Sequence, residues 1–191
     1  KYQQIPEFKE KHFYMDLADF KYIFWFEYIH RILGRITVLT FLLPLIFFGC
    51  KSWLTSEQIQ KFILILLMFL FQGFLGWFMV SSGLTDRADV SHIRLAIHLL
   101  MAFILSALIL WEFLKIKHPD YFNNFQISNN KKLILSINAI FILTILQIIY
   151  GAFVAGLDAG MIYNQFPKMG EGIIPQEIYH SVNFWYDIIN N

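Results

Sequence analysis

The sequence predicts an all-α fold, a polytopic bundle of membrane-spanning helices. Three observations carry that prediction. Of the 191 residues, 57% are hydrophobic and only 15% are charged, against roughly 45–50% and about 25% in a soluble domain. The apolar residues gather in four runs, each long enough to supply the roughly 20 helical residues that cross a bilayer. The runs are continuous rather than alternating, which suits helices and not the strands of a membrane barrel. The net charge of +1 gives no footprint for nucleic acid. The single cysteine, Cys50, excludes a disulfide within the chain and a multi-cysteine metal site. The chain opens on Lys1 in mid-loop and reads as an internal fragment of a longer protein, with no signal peptide in view.

Residues 1–27 are polar and aromatic and read as a loop segment on the outer face. The spans are expected at about 28–50, 62–80, 95–114 and 133–157, so that 28–157 forms a four-helix transmembrane bundle. Residues 158–191, with Gly160, Pro167, Gly170, Gly172 and Pro175, read as a second outer-face loop. Orientation follows from the lysines. Lys51 and Lys61 face one acid, Glu57, between the first two spans, and Lys115, Lys117, Lys131 and Lys132 face Asp120 between the last two. The loop between the second and third spans carries Arg87 against Asp86 and Asp89, and the tail is acidic. The positive-inside rule therefore puts the lysine loops in the cytoplasm or matrix. Trp25, Trp53, Trp77 and Trp111 fall near span ends, as an aromatic belt requires. Pro44 predicts a kink in the first span.

The informative residues are ionisable groups inside or at the lips of the spans, which hydrocarbon penalises and which mark function by default. Glu27, His30, Arg31 and Arg35 crowd the outer start of the first span, with Arg94 and His98 at the outer start of the third. These two spans run parallel, so the spacing places His30 and His98 about one turn below the same surface. Two facing imidazoles in a bundle are a way to hold a heme iron axially. A bare transition metal wants more ligands than this pair and Glu27 provide. Arg94, one turn nearer the water than His98, stands where a heme propionate projects. Gly34, one turn below His30, leaves room for a flat macrocycle. Glu27 lies about 4.5 Å further out along the axis than His30, at the rim of the pocket.

The spacing leaves a plainer reading open. His30 is then an interfacial anchor, His98 an interhelical hydrogen-bonder, and Arg31 and Arg35 partners for lipid phosphate or for Glu27. His12, His92, His118 and His180 fall in predicted loops and read as structural or solvated. Glu112 snorkels beside Lys115, and Cys50 reads as a plain apolar residue. The second and fourth spans each carry a glutamine four residues before a glycine, Gln72 with Gly76 and Gln147 with Gly151. The glycines read as sites of close helix packing.

The stretch Phe24 to Arg35 holds Glu27, His30, Arg31, Gly34 and Arg35 in the order E-x-x-H-R-x-x-G-R, and it resembles the signature of heme A synthases. Three more stretches resemble that family in the same order. They are Gln72 to Val80 with Ser82-Gly83-Leu84, then Arg94 to Leu99, then Gly151 to Gly160 continuing to Tyr163-Asn164 and Phe166-Pro167. The resemblance implies an eight-helix membrane enzyme of two similar four-helix bundles, of which this chain holds four spans. It implies oxidation of the C8 methyl of heme O to the formyl of heme A, for cytochrome oxidase, by two hydroxylations and loss of water.

By the same resemblance, Glu27 is the catalytic carboxylate and His30 and His98 are the axial pair for heme O; from their positions beside that pair, Gly34, Arg31, Arg35 and Arg94 are expected in the pocket and propionate contacts. Ligands for a heme B cofactor are expected beyond Asn191. The implied partners are heme O, an electron donor, the lipid bilayer and, in assembly, heme O synthase and cytochrome oxidase assembly factors. The implied location is the inner (plasma) membrane of a bacterium or the mitochondrial inner membrane. The absence of a cysteine pair in the outer loops resembles the proteobacterial and mitochondrial type. Two other classes stay open on the residues alone: a b-type cytochrome subunit carrying electrons across the membrane, and a non-catalytic membrane assembly protein.

Overall fold

The computed structural model describes residues 2–83, 89–123, 130–162, 165, 168, 170 and 172. The motif residues Leu84, Tyr163, Asn164, Phe166 and Pro167, and His180, lie outside the described residues, as does most of the expected loop over 158–191. A short opening helix α1 (Pro6–Glu10) leads to α2 (Leu17–Cys50), α3 (Ser56–Val80) and α4 (His92–Lys117). The one-turn α5 (Pro119–Asn123), then α6 (Lys131–Gly156) and the short α7 (Ala159–Ile162), complete the described α-helices, with short 3-10 turns at Tyr2–Gln4 and Ser81–Gly83. The four long helices are each long and apolar enough to cross a membrane. The fold is an all-α polytopic membrane bundle.

Local chemistry sets the helix starts. Asp16 accepts from the backbone N–H groups of Ala18 and Asp19 at 2.7 and 2.9 Å, and the Asp19 carboxylate accepts in return from the Asp16 N–H. This reciprocal cap starts α2 at Leu17. The stretch from Leu17 to Glu27, expected as loop, is therefore helix. Thr55 and Gln58 form the same kind of box at the start of α3, and the Asn130 side chain caps α6. Ser52, with φ 56°, is in the left-handed region and turns the chain out of α2. Helix α2 runs unbroken through Pro44.

Packing follows one stripe per helix. Along α3, Ile65, Gln72, Leu75 and Gly76 turn inward, with Ile65 and Leu75 fully buried, at the i, i+3, i+4 spacing of a single face. Helix α4 packs most extensively on α6 and on α3, and α2 packs on α3, making at most marginal contact with α4 or α6. An open side is thus left between α2 and α4. The tightest junction joins α4 to α6. His92, expected in a loop, is the first residue of α4 and only 2% exposed. Its ring meets Phe153 edge-on at 5.2 Å.

At that junction a Cβ on Gly156 would lie 2.9 Å from the Cα and Cβ of His92. Backbone cannot yield to it as a flexible side chain would. Gly156→Ala should force α4 and α6 apart and cost about 1–3 kcal/mol. Gly151→Ala on the same helix, where nothing lies within 4 Å, should cost almost nothing. Thermal unfolding of the two purified variants checks the contrast, and equal melting temperatures would contradict it.

Candidate functional site

The site lies at the end of the bundle where α2, α3 and α4 carry their polar residues. Ten helical residues, Leu17 to Phe26, precede Glu27, about 15 Å of helix at 1.5 Å per residue. Glu27 and His30 therefore sit well inside α2 rather than at its start. His30 is the fourteenth residue of α2, whereas His98 is the seventh of α4. The two imidazoles stand on different helices and lie within Coulombic reach of one another. His30 is exposed and His98 half-buried. Nothing lies within 4 Å of where a Gly34 Cβ would stand, so the face of α2 below His30 is open.

His98 is held from α3. The Gln72 side-chain amide donates to the His98 carbonyl oxygen at 3.0 Å, and its nitrogen stands 3.5 Å from His98 Nε2. A Cβ on Gly76 would lie 3.1 Å from His98 Cε1, so the ring rests against bare backbone. His98 Nδ1 and Gln72 Oε1 are buried with no hydrogen-bond partner among the described residues. Orphaned buried polar atoms of this kind are rare enough to call for a cause.

The charged residues have definite partners. Glu27 pairs with Arg31 at 3.1 Å, both sides half-exposed or more, so the pair contributes at most about 1 kcal/mol. The Arg94 guanidinium donates to the Phe78 carbonyl oxygen at 2.9 Å and lies over the Phe78 ring, 3.9 Å from its centroid. It therefore ties the start of α4 to the end of α3, and a guanidinium's five N–H groups leave donors to spare. Arg35 is exposed on α2. Among the described residues no three His, Cys, Asp or Glu groups come together. A pair of imidazoles is too few for a bare ion but enough for an iron already held by a macrocycle. Two clefts, of about 260 Å³ beside His118 and Tyr121 and about 150 Å³ beside Pro44 and Phe48, lie elsewhere and touch neither site histidine.

A strap formed by the opening segment lies over this end. Tyr2 packs on Phe20 with ring centroids 4.8 Å apart, and Phe20, Phe24 and Tyr28 continue the ladder along α2. Burial pushes the Glu7 carboxyl above the usual carboxylate range; the nearby His12 opposes this, and the charges of Glu27 and Asp89 reinforce it. Lys11 binds Asp158 at 2.8 Å and also Asp89. One ammonium thus joins the strap to the approach to α4 and the exit of α6. Sequence reading had no access to this clamp, since its members lie 78 and 147 residues apart.

The elements define a multi-pass helical membrane protein with two histidines and a carboxylate at one end of its bundle. The whole chain, residues 1–191, matches the COX15-CtaA family, described as cytochrome oxidase assembly proteins, and it belongs to that family. The heme A synthase of Rickettsia bellii strain OSU 85-389 is 44% identical over 190 residues, covering 98% of this chain and 56% of the relative. That of Wolbachia pipientis wMel is 39% identical over 191 residues, 100% of this chain and 54% of its own. That of Flavobacterium psychrophilum is 45% identical over 178 residues, 90% and 50%. The chain spans about half the length of the curated relatives it matches. No solved structure matches the chain.

Hydrogen bonds to Asp158 and Asp89 hold the Lys11 ammonium above the ordinary lysine value. A raised lysine contributes stability that is full below its unfolded pKa and is lost as pH rises through the folded one. The clamp should therefore hold at neutral pH, and on the alkaline side it should release only beyond the ordinary lysine range. Because all three groups are over a third exposed, each pair contributes no more than about 1 kcal/mol. Lys11→Met should leave the bundle's melting temperature nearly unchanged and make residues 2–16 cleavable by protease at pH 7. Equal cleavage of both proteins would contradict the clamp.

Proposed function

We propose that this chain carries the heme O site of a membrane-bound heme A synthase. His30 and His98 are the axial ligands of the substrate iron, and Glu27 is the catalytic carboxylate. The observation that carries the reading is that His30 on α2 lies within Coulombic reach of His98 on α4, a helix with which α2 makes at most marginal contact. The open face at Gly34 and the unpartnered His98 Nδ1 support it, as do the printed names of the relatives, each a heme A synthase. Arg31, Arg35 and the spare N–H groups of Arg94 are the proposed partners of the propionates, since a guanidinium's planar fork suits carboxylate.

The reaction is an oxidation of the C8 methyl of heme O. Each of two hydroxylations turns a C–H bond into C–OH, drawing on an external oxidant and electron donor, and the resulting gem-diol loses water to leave the aldehyde of heme A. The chain's own residues bind and orient the macrocycle, and Glu27 moves a proton or stabilises positive charge at the groove rim. Partners are an electron donor, heme O synthase and cytochrome oxidase assembly factors. The relatives are bacterial, so the location is the bacterial inner membrane, with the histidine end facing outward by the lysine bias.

The exposed Glu27–Arg31 pair contributes too little to stability for its loss to unfold the protein. Glu27→Gln, expressed from the complete gene in cells lacking their own enzyme, should insert, fold and retain heme. It should form heme A at least about 100-fold more slowly per folded molecule, the scale of a general acid–base contribution, with heme O or a hydroxylated intermediate accumulating. Pigments resolved by chromatography and divided by folded protein give the answer. Near-normal turnover would remove Glu27 from the chemistry.

A further inference from the structure

We infer that His98 has two positions: its imidazole stands stowed against α3, in a seat formed by Gly76 and Gln72, and the ring must turn out of that seat before a nitrogen can bond an iron. The inference rests on the two-histidine reading of the site and deepens it. A Cβ on Gly76 would lie 3.1 Å from His98 Cε1 and 3.7 Å from both Nδ1 and Nε2. Cε1 stands between the two nitrogens, so the whole nitrogen-bearing edge of the ring faces the α3 backbone. The Gln72 amide nitrogen closes the side at Nε2, 3.5 Å away, and Nδ1 is buried. A macrocycle bonded at Nε2 would spread flat in every direction just beyond that atom, over the Gln72 amide included. Seat and iron bond therefore exclude one another.

The seat is held by packing rather than by hydrogen bonds. A neutral imidazole carries one proton on its two nitrogens. On Nε2 that proton would face an amide nitrogen, itself a donor; on Nδ1 it is buried with no partner among the described residues. Either tautomer leaves a polar group unserved in the seat, a cost that turning outward removes. Helix α4 need not move for this. Arg94 and the contact of His92 with Gly156 hold the helix, and the Gln72 amide donates to the His98 backbone carbonyl at 3.0 Å. A helical side chain has two ordinary χ1 wells, so the ring alone can change place. Helix α6 carries the same glutamine–glycine spacing and no such seat, since nothing lies within 4 Å of a Gly151 Cβ.

Binding then draws on the fraction of molecules with the ring turned out, and the apparent dissociation constant rises as that fraction falls. Gly76→Ala fills the seat, because the three atoms nearest its Cβ all belong to the His98 ring. Gly76→Ala and His98→Ala are each expressed from the complete gene, purified free of heme O and titrated with ferric heme O. The Soret band gives affinity, and electron paramagnetic resonance follows the low-spin iron that appears on addition. The proteins free of heme O are also treated with diethyl pyrocarbonate, which modifies accessible imidazoles, and the modified histidines are located by mass spectrometry. His30, exposed in the same chain, is the reference.

With the turned-out position populated at about 10% or less, His98 of the parent should react at least about 10-fold more slowly than His30. Gly76→Ala should raise the His98 rate toward that of His30 and tighten heme O binding by about 10-fold. A parent His98 that reacts as fast as His30 would overturn the inference, and that measurement needs no variant. Unchanged or weaker affinity in a folded Gly76→Ala protein would overturn it too. If His98→Ala still yields the added low-spin signal, the two-histidine reading fails, and this inference with it. If that signal is lost while the parent His98 reacts freely, only the seat fails.

Discussion

Hydrocarbon offers no hydrogen-bond partner to a polar side chain, and that constraint decides where every polar group of the four spans goes. Most are satisfied within their own helix. The hydroxyls of Thr37, Thr40, Ser106 and Thr144 each donate to a carbonyl one turn back, at 2.8 Å. Glu112 turns toward Lys115 at 3.8 Å. The exceptions are concentrated between α3 and α4, where Gln72 reaches to the His98 backbone and two polar atoms are left over. Among the described residues, the buried side-chain atoms left without a hydrogen-bond partner, His98 Nδ1 and Gln72 Oε1, thus stand together at this one junction.

The remaining packing serves to place that histidine. Close approach at Gly156 and His92 sets α4 against α6, while Arg94 ties the start of α4 to the last turn of α3. These contacts fix the rotation of α4, and so the direction His98 faces. Helix α2 is held differently. It leans mainly on α3, has no buried residue among those described, and leaves His30 exposed. The Lys11 clamp and the aromatic ladder from Tyr2 bring the opening segment to the same end. The two histidines are thus held unequally, His98 half-buried against α3 and His30 exposed on α2, with the strap across the same end.

The spans were legible because hydrophobicity over 20 residues is a strong signal, and each expected span lies within a described helix, the fourth overrunning α6 by Leu157 alone. The start of α2 was displaced because its first turns are polar and aromatic. The reciprocal Asp16–Asp19 cap was present in the sequence and would have marked it. His92 was misplaced for a tertiary reason: its burial depends on a glycine 64 positions further along the chain, Gly156. Gln72 and Gln147 looked alike in spacing and differ in surroundings, because only the neighbouring helix decides which face is inside. The ion pair of Glu27 with Arg31 was readable from i,i+4 spacing. The Lys11 clamp, made across three elements, was not.

The central claim is that His30 and His98 bind one iron from opposite sides. The most direct test is an experimental structure of the protein expressed from its complete gene and loaded with heme O. The account predicts a macrocycle between α2 and α4 with His30 and His98 bonded to the same iron, the Gln72 amide still on the His98 carbonyl, and the ring edge near Glu27. Iron held by other residues, or a macrocycle bound away from the groove with His98 still packed on Gly76, would contradict it.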